Sequence, residues 1–292
     1  LYRCLAGLGA DVGFYIPKRE SEGYGLNEAA LNKLAEEKFT LLVTVDCGIS
    51  SADLIAKAPA GLDIIVTDHH MPPKDLPRCV SVVNPHQEGC KYPFKELAGC
   101  GVIYTVCRGL YLKKFGRDYT ENVELAALGT IADVVSLTGE NRILVREGMK
   151  RFLITPIKGL SELLKVSGIV KEDTQRIQKA DQVSFGLAPR LNAAGRIADA
   201  GMGVRLLITE SQEEATALAE NLCEVNVQRQ QIEHDIYDQA VQRIEELNAG
   251  QDMALVVDGK DWHPGVLGIE ASRRFVGEDK IAARNGDLYQ SI

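Results

Sequence analysis

Short β-branched runs alternate along the chain with stretches whose apolar residues recur every three or four positions, and this alternation predicts an α/β fold with a parallel sheet. Strands are expected at Asp11–Ile16, Thr40–Asp46, Asp63–Thr67 and Val80–Asn84. Between them, NEAALNKLAEEKF has helical spacing and SADLIAKA reads as a shorter helix. Beyond Gly99 the pattern turns helical through GCGVIYTVCRGLYLKKFG, NVELAALGTIA and NRILVREGMKRFL. From Ser211 to Leu247, apolar residues recur at 218, 222, 225, 232, 236, 240, 244 and 247 with neither Gly nor Pro between, which predicts one long helix. At 1.5 Å per residue it would span roughly 55 Å, more than a compact domain needs internally, so it is expected to bridge two domains. A long core helix or coiled-coil seam is the alternative, which a single stripe interrupted by Arg229 specifies weakly. After it, ALVVD restarts a strand and GVLGIEASRRF a helix. The expected division is therefore 1–210, a connecting helix at 211–248, and the start of a second, smaller α/β unit at 249–292.

Composition narrows the function classes. With 292 residues and 45% hydrophobic content the chain can bury a sizeable core. Its longest apolar runs, such as Thr40–Val45, are far too short to cross a bilayer. The net charge of −8 argues against a protein that coats nucleic acid by bulk electrostatics, but leaves open one in which acidic residues hold metal ions that meet the phosphate. Seven cysteines without a CxxC pair are expected to be reduced core residues of a cytoplasmic protein. The opening LYRCLAGLGA reads as the end of a helix without a visible start, and AARNGDLYQSI has no finishing element, so both termini are expected to be truncated.

Candidate chemistry gathers at strand ends, because ligands in open parallel sheets bind beyond the carboxyl ends of the strands. Asp46 ends one expected strand, and Asp68, His69 and His70 end the next. The 22 residues from Asp46 to Asp68 allow one crossover between parallel neighbours, placing both groups on one edge. Such oxygen and nitrogen ligands suit Mn²⁺ or Mg²⁺. Taken alone, Asp46 reads more simply as a cap for a helix starting near Ser50, and Asp133 serves equally well as a capping aspartate or a ligand. Asp68-His69-His70 is harder to explain structurally, since three polar groups following a buried strand are costly unless solvated or coordinating.

VDCG, VTDHH and GTIADVV, in that order, resemble the second, third and fourth motifs of the DHH phosphoesterase family. VVNPHQEGCKYPFKELAGCGV and GLAPRLNAAGR resemble its RecJ-type branch in particular, and DWHPGVLGIEASR resembles the start of the companion DHHA1-type domain. The resemblance implies a metal-dependent 5′-to-3′ exonuclease that hydrolyses single-stranded DNA to 5′-mononucleotides in repair and recombination. Carried over residue by residue, Asp46, His69 and Asp133 match metal ligands for Mn²⁺ or Mg²⁺, two ions in the complete protein. His70 matches the histidine near the reacting phosphate, and Asp68 a residue that orients the His pair. Arg190, Asn192 and Arg196 match a strand-contacting loop, where a surface salt bridge is the alternative. His263 and Arg273 match the second domain's phosphate-binding surface, and a structural role for His263 stays open. The family's first motif, an Asp-x-Asp pair, does not occur ahead of Leu1, so the 292 residues alone are expected to hold one ion weakly and to show little activity.

Two other readings compete. A smaller DHH enzyme acting on short oligonucleotides, cyclic dinucleotides or pyrophosphate would share the metal motifs but not YPFKELAG and PRLNAAGR. A catalytically silent scaffold binding single strands or replication and repair proteins would not need the metal residues. Single-stranded DNA is the expected partner, the protein a monomer, and no membrane is involved.

Overall fold

Three parallel strands, β1 (Leu41–Val45), β2 (Asp63–Thr67) and β3 (Ser81–Val83), pair in that order, with Val45 opposite Thr67 and Thr67 opposite Val83. The computed structural model describes residues 1–17, 22, 23, 25–171, 173, 174, 177, 179–246, 254–273 and 280–285, and of 254–256, 269–273 and 280–285 the backbone alone. Two backbone bonds carry the ladders one residue past the strands: Asp46 N–H donates to Thr67 O and Asp68 N–H to Val83 O, both at 3.0 Å. That register puts Asp46, Asp68 and Asn84 side by side on the carboxyl edge of the sheet.

The first sheet packs on α2 (Glu28–Glu36), whose Asn27 side chain caps Ala30 N–H at 2.8 Å. Leu31 and Leu34 of α2 meet Ile64 and Val66 of β2 in one apolar cluster. The segment expected as a helix after β1 forms only the single turn α3 (Ala52–Ile55). Asp11–Ile16, expected as a strand, is not one. Its sequence has β propensity, but a strand exists only as a ladder with a neighbour, and no described residue pairs with it. Tyr15 instead packs against the α2 cluster, while Phe14 lies edge-on to Tyr2 of α1 (Tyr2–Gly7).

Helices fill the middle of the chain: α4 (Gly99–Phe115), α5 (Val123–Ala132), α6 (Gly139–Arg151), a 3₁₀ turn at Phe152–Ile154, and α7 (Lys158–Val166). A π turn at Gln182–Leu187 leads into α8 (Ala188–Ile197), followed by α9 (Gly201–Ile208). Leu160, Leu163 and Leu164 of α7, Leu187, and Leu206 of α9 converge on Leu222 of the next helix in the largest core cluster. Each such leucine stabilises the fold by about 1.5–3 kcal/mol through burial. The cysteines are free, but only Cys4 and Cys107 are fully buried, packed with Tyr104, Tyr111 and Tyr119, so the expectation of seven core cysteines holds for those two.

The long helix is present as α10 (Gln212–Glu246), 35 residues or roughly 52 Å. Its first half packs on α7, α8 and α9, and its second half on β4 (Ala254–Gly259) and α11 (Pro264–Arg273), where Trp262, Val266 and Leu267 join Ile236 and Ile244. Between these cores its buried face is polar: Asn226, Arg229 and Glu233, with Arg229 donating to Glu233. β4 pairs in parallel with β5 (Lys280–Asn285) in a second sheet. The architecture is therefore an α/β parallel sheet connected through a long helix to a second, smaller α/β unit.

Candidate metal centre

The centre is built where β1, β2 and α5 end. Asp46 follows β1 with φ +63°, a left-handed conformation that Asp adopts more readily than most residues, and Gly48 at φ +103° completes the turn into α3. Asp46 does not cap α3, whose N-cap is Ser51 and which has no side-chain cap bond, so the cap expected near Ser50 does not explain its position. His69 follows β2, and its Nε2 lies 3.1 Å from Asp46 Oδ1 and 3.5 Å from Asp133 Oδ2. Asp133 stands at the carboxyl end of α5. The next residue, Val134, has φ +58°, an outlier for a β-branched side chain and the kind of local strain that collects at functional sites.

Asp46 Oδ1 and His69 Nε2 are both closed off from water, yet neither makes an aligned hydrogen bond despite their proximity. Two polar atoms buried in this way are costly unless a proton on His69 or a cation between them satisfies both. Cis ligands of an octahedral ion, each about 2.1 Å from it, stand about 3.0 Å apart. The 3.1 Å between Asp46 and His69 matches that spacing and the 3.5 Å from His69 to Asp133 is wider, so Asp46 and His69 fit adjacent ligands of a hard divalent cation with Asp133 at their side. The electrostatics agree: the Asp46 carboxylate holds His69 above the ordinary imidazole value against the opposing effect of burial. Burial raises Asp133 above the usual carboxylate range, and Asp46 adds to this while His69 and His70 oppose it. A bound cation would favour the Asp133 carboxylate and take the place of the proton on His69.

Asp68 lies beneath this cluster, 1% exposed. Its Oδ1 accepts from His69 N–H at 2.8 Å, His70 N–H at 3.2 Å and His70 Nδ1 at 2.7 Å, and its Oδ2 accepts from Ile49 N–H at 3.0 Å. Burial alone would raise Asp68, but these bonds outweigh it and hold the carboxyl below its usual range. Asp68 is thus an anion that can only accept, so His70 Nδ1 must carry the proton and Nε2 is the nitrogen left to face a ligand. The two rings lie 4.5 Å apart between centroids with their planes tilted by 56°, and Asp46, His69 and His70 each offer a ligand atom within 4.8 Å of the others.

Sequence reading missed Asn84, the third strand end, which is 2% exposed. Its Nδ2 donates to His70 O and its Oδ1 accepts from His86 N–H, both at 2.8 Å, locking the DHH turn against β3. The signal was available, since Asn84 ends an expected strand inside VVNPHQ.

The expected strand-contacting loop is helical: Arg190, Asn192 and Arg196 all lie on α8, entered through the π turn and Pro189, because its apolar residues Ala193, Ala194 and Leu191 pack into the main core. Arg190 donates to Gly186 O and Cys223 Sγ, Asn192 is exposed, and Arg196 Nη1 donates to Gly265 O at 3.0 Å. His263 Nδ1 accepts from Gly265 N–H at 3.1 Å. Arg273 ends α11, and its side chain lies outside the described residues. Arg190, Arg196 and His263 lie along the junction of α8 with α10 and the start of α11.

Residues 1–132 match the family model described as DHH family, N-terminal domain. The single-stranded-DNA-specific exonuclease RecJ of Bacillus subtilis (strain 168) is 43% identical over 272 residues, covering 92% of this chain and 33% of that one. That of Escherichia coli (strain K12) is 37% identical over 282 residues, covering 90% and 48%. The chain thus spans a third to a half of the length of these curated relatives. Among solved structures, an exonuclease RecJ bound to manganese superposes with a TM-score of 0.83 at 36% identity, covering 97% of this chain and 70% of that one. RecJ from Thermus thermophilus in complex with Mn²⁺ gives 0.83 at 33% identity, covering 97% and 40%. On this similarity in sequence and fold, the chain belongs to the RecJ branch of the DHH family.

Proposed function

We propose that this chain carries the catalytic core of a metal-dependent exonuclease that hydrolyses single-stranded DNA from the 5′ end to 5′-mononucleotides, acting in repair and recombination. The observation that carries this reading is the pair of buried ligand atoms without a hydrogen-bond partner, Asp46 Oδ1 and His69 Nε2, at cis-ligand spacing with Asp133 Oδ2 3.5 Å from His69 Nε2. Relatives named as single-stranded-DNA-specific exonucleases, and a related structure bound to manganese, support the substrate and the ion. In this reading Asp46, His69 and Asp133 hold Mn²⁺ or Mg²⁺. Bound there, such an ion supplies Lewis-acid stabilisation of phosphate charge and lowers the pKa of water.

The chain's own groups do the rest. Asp68 fixes the His70 ring through Nδ1 and leaves Nε2 toward the scissile phosphate, where it donates or accepts one hydrogen bond. Asn84 keeps the DHH turn from swinging away from β3. Arg190, Asn192, Arg196, His263 and Arg273 are assigned to the strand's path, with guanidinium forks suited to phosphate oxygens. The reading includes the division at 1–210, 211–248 and 249–292. Three ligands suffice for one ion and are few for two, so residues 1–292 alone are expected to digest DNA slowly.

The test is Mn²⁺ titration of the chain together with digestion of a 5′-phosphorylated 40-mer. One Mn²⁺ site and slow, Mn²⁺-dependent release of mononucleotides are expected, with both lost in Asp46→Asn. Equal Mn²⁺ affinity in Asp46→Asn, or equally rapid digestion of blunt duplex, would count against the reading. Cleavage confined to di- and trinucleotides would favour the smaller DHH enzymes, and tight strand binding without cleavage the scaffold.

A further inference from the structure

Gly99 opens α4, and a Cβ built on it would lie 2.2 Å from Asp46 Oδ1, 2.6 Å from Asp46 Cγ and 2.8 Å from Asp46 Cβ. Because Asp46 Cβ is itself inside the excluded distance, rotating the carboxylate does not relieve the clash, and the whole residue must move. α4 has no side-chain cap at Ala98, so the Asp46 carboxylate is the acidic group seated against its first residue, where a helix favours negative charge. One residue on, Cys100 meets α5 just as closely. A Cβ on Gly129 would lie 2.7 Å from Cys100 Sγ, while Sγ donates to Ala126 O at 3.3 Å. Gly129 precedes Asp133 by one helical turn on the helix that ends at it. The first turn of α4 is therefore wedged between the Asp46 turn and the Asp133 helix.

We propose that Gly99 is a positioning residue of the metal centre: by leaving no side chain, it lets the first turn of α4 act as a fixed spacer that sets Asp46 against His69 and Asp133. The inference rests on the metal reading above, and deepens it by naming what holds the ligand spacing. Its sign is opposite to that of intrinsic propensity. Alanine in place of glycine within a helix is ordinarily stabilising, as it should be at Gly109, on the same helix with open space around its Cα.

The experiment combines Mn²⁺ titration, using the metal alone, with thermal unfolding of the chain carrying Gly99→Ala, Gly109→Ala, Asp46→Gly, and Gly99→Ala with Asp46→Gly. Gly99→Ala is expected to weaken Mn²⁺ at least tenfold and to lower Tm, whereas Gly109→Ala does neither. Asp46→Gly removes the clashing atoms and suits the left-handed backbone, so in that background Gly99→Ala should no longer lower Tm, even if the single variant fails to fold. A Tm loss that persists undiminished beside Asp46→Gly would overturn the proposal. Normal Mn²⁺ affinity in Gly99→Ala, with Asp46→Gly impaired, would overturn it alone. Absence of Mn²⁺ binding in the unsubstituted chain would overturn it together with the metal reading.

Discussion

Replacing Asp68 with Asn tests the buried anchor of the site. The native carboxylate accepts four hydrogen bonds, three on Oδ1 and one on Oδ2. An amide offers one acceptor oxygen. If that oxygen keeps the three donors of the DHH turn, its NH₂ meets Ile49 N–H donor to donor; the opposite orientation abandons the backbone N–H groups of His69 and His70. At least one buried donor is left unsatisfied at about 1–3 kcal/mol, and the surviving bonds lose their charge assistance, so a loss of about 2–4 kcal/mol is expected. For a chain of this size that lowers Tm by roughly 4–15 °C. The pH dependence gives an independent check. A carboxyl held low in the folded state stabilises the fold above its unfolded value, here 3.8, and that contribution is lost as pH falls through the lower folded value. The gap between native protein and Asp68→Asn, measured by urea unfolding, should therefore be full above about pH 5 and shrink below pH 4. A loss under about 0.5 kcal/mol at pH 7, below the cost of one unsatisfied buried donor, or a gap that widens in acid, would rule out this anchoring role.

Other outcomes follow from single features. Val134 is 84% exposed at φ +58°, so Val134→Gly relieves strain without losing packing and should raise stability by about 1 kcal/mol in thermal unfolding. Leu163→Ala removes a fully buried side chain of the main core and should cost about 2–5 kcal/mol in urea unfolding, with Mn²⁺ affinity unchanged. Asn84→Ala frees the His70 carbonyl and should lower digestion rate more than Mn²⁺ affinity, since the Asn84 amide holds His70 and not one of the three proposed ligands. Mn²⁺ must displace the proton that Asp46 helps His69 to keep, so affinity should fall as pH drops below the raised His69 value, with proton release measurable by calorimetry in two buffers.

How far the sequence could be read depended on whether the signal was local. β2 was readable residue for residue, because DIIVT is a buried run bounded by polar residues, and α10 was readable because 35 residues repeat one period. Asp46 and His69 could be grouped because parallel strands and short connections force their ends to one edge, whereas Asp133, at the end of a helix, joined them only through the family resemblance. What failed depended on partners elsewhere. Asp11–Ile16 has the composition of a strand but no described neighbour to pair with, and GLAPRLNAAGR reads as a loop until its apolar residues find the core. Gly99 and Gly129 are meaningful only through what lies across from them, which no spacing along the chain encodes.

Mn²⁺ soaked into crystals of the chain and located by its anomalous scattering would show the ligand set itself. A peak is expected within about 2.3 Å of Asp46 Oδ1, His69 Nε2 and Asp133 Oδ2 together. A Mn²⁺ peak elsewhere, with Asp46 and His69 still 3.1 Å apart and nothing between them and Asp133, would mean that these three residues do not form the metal site.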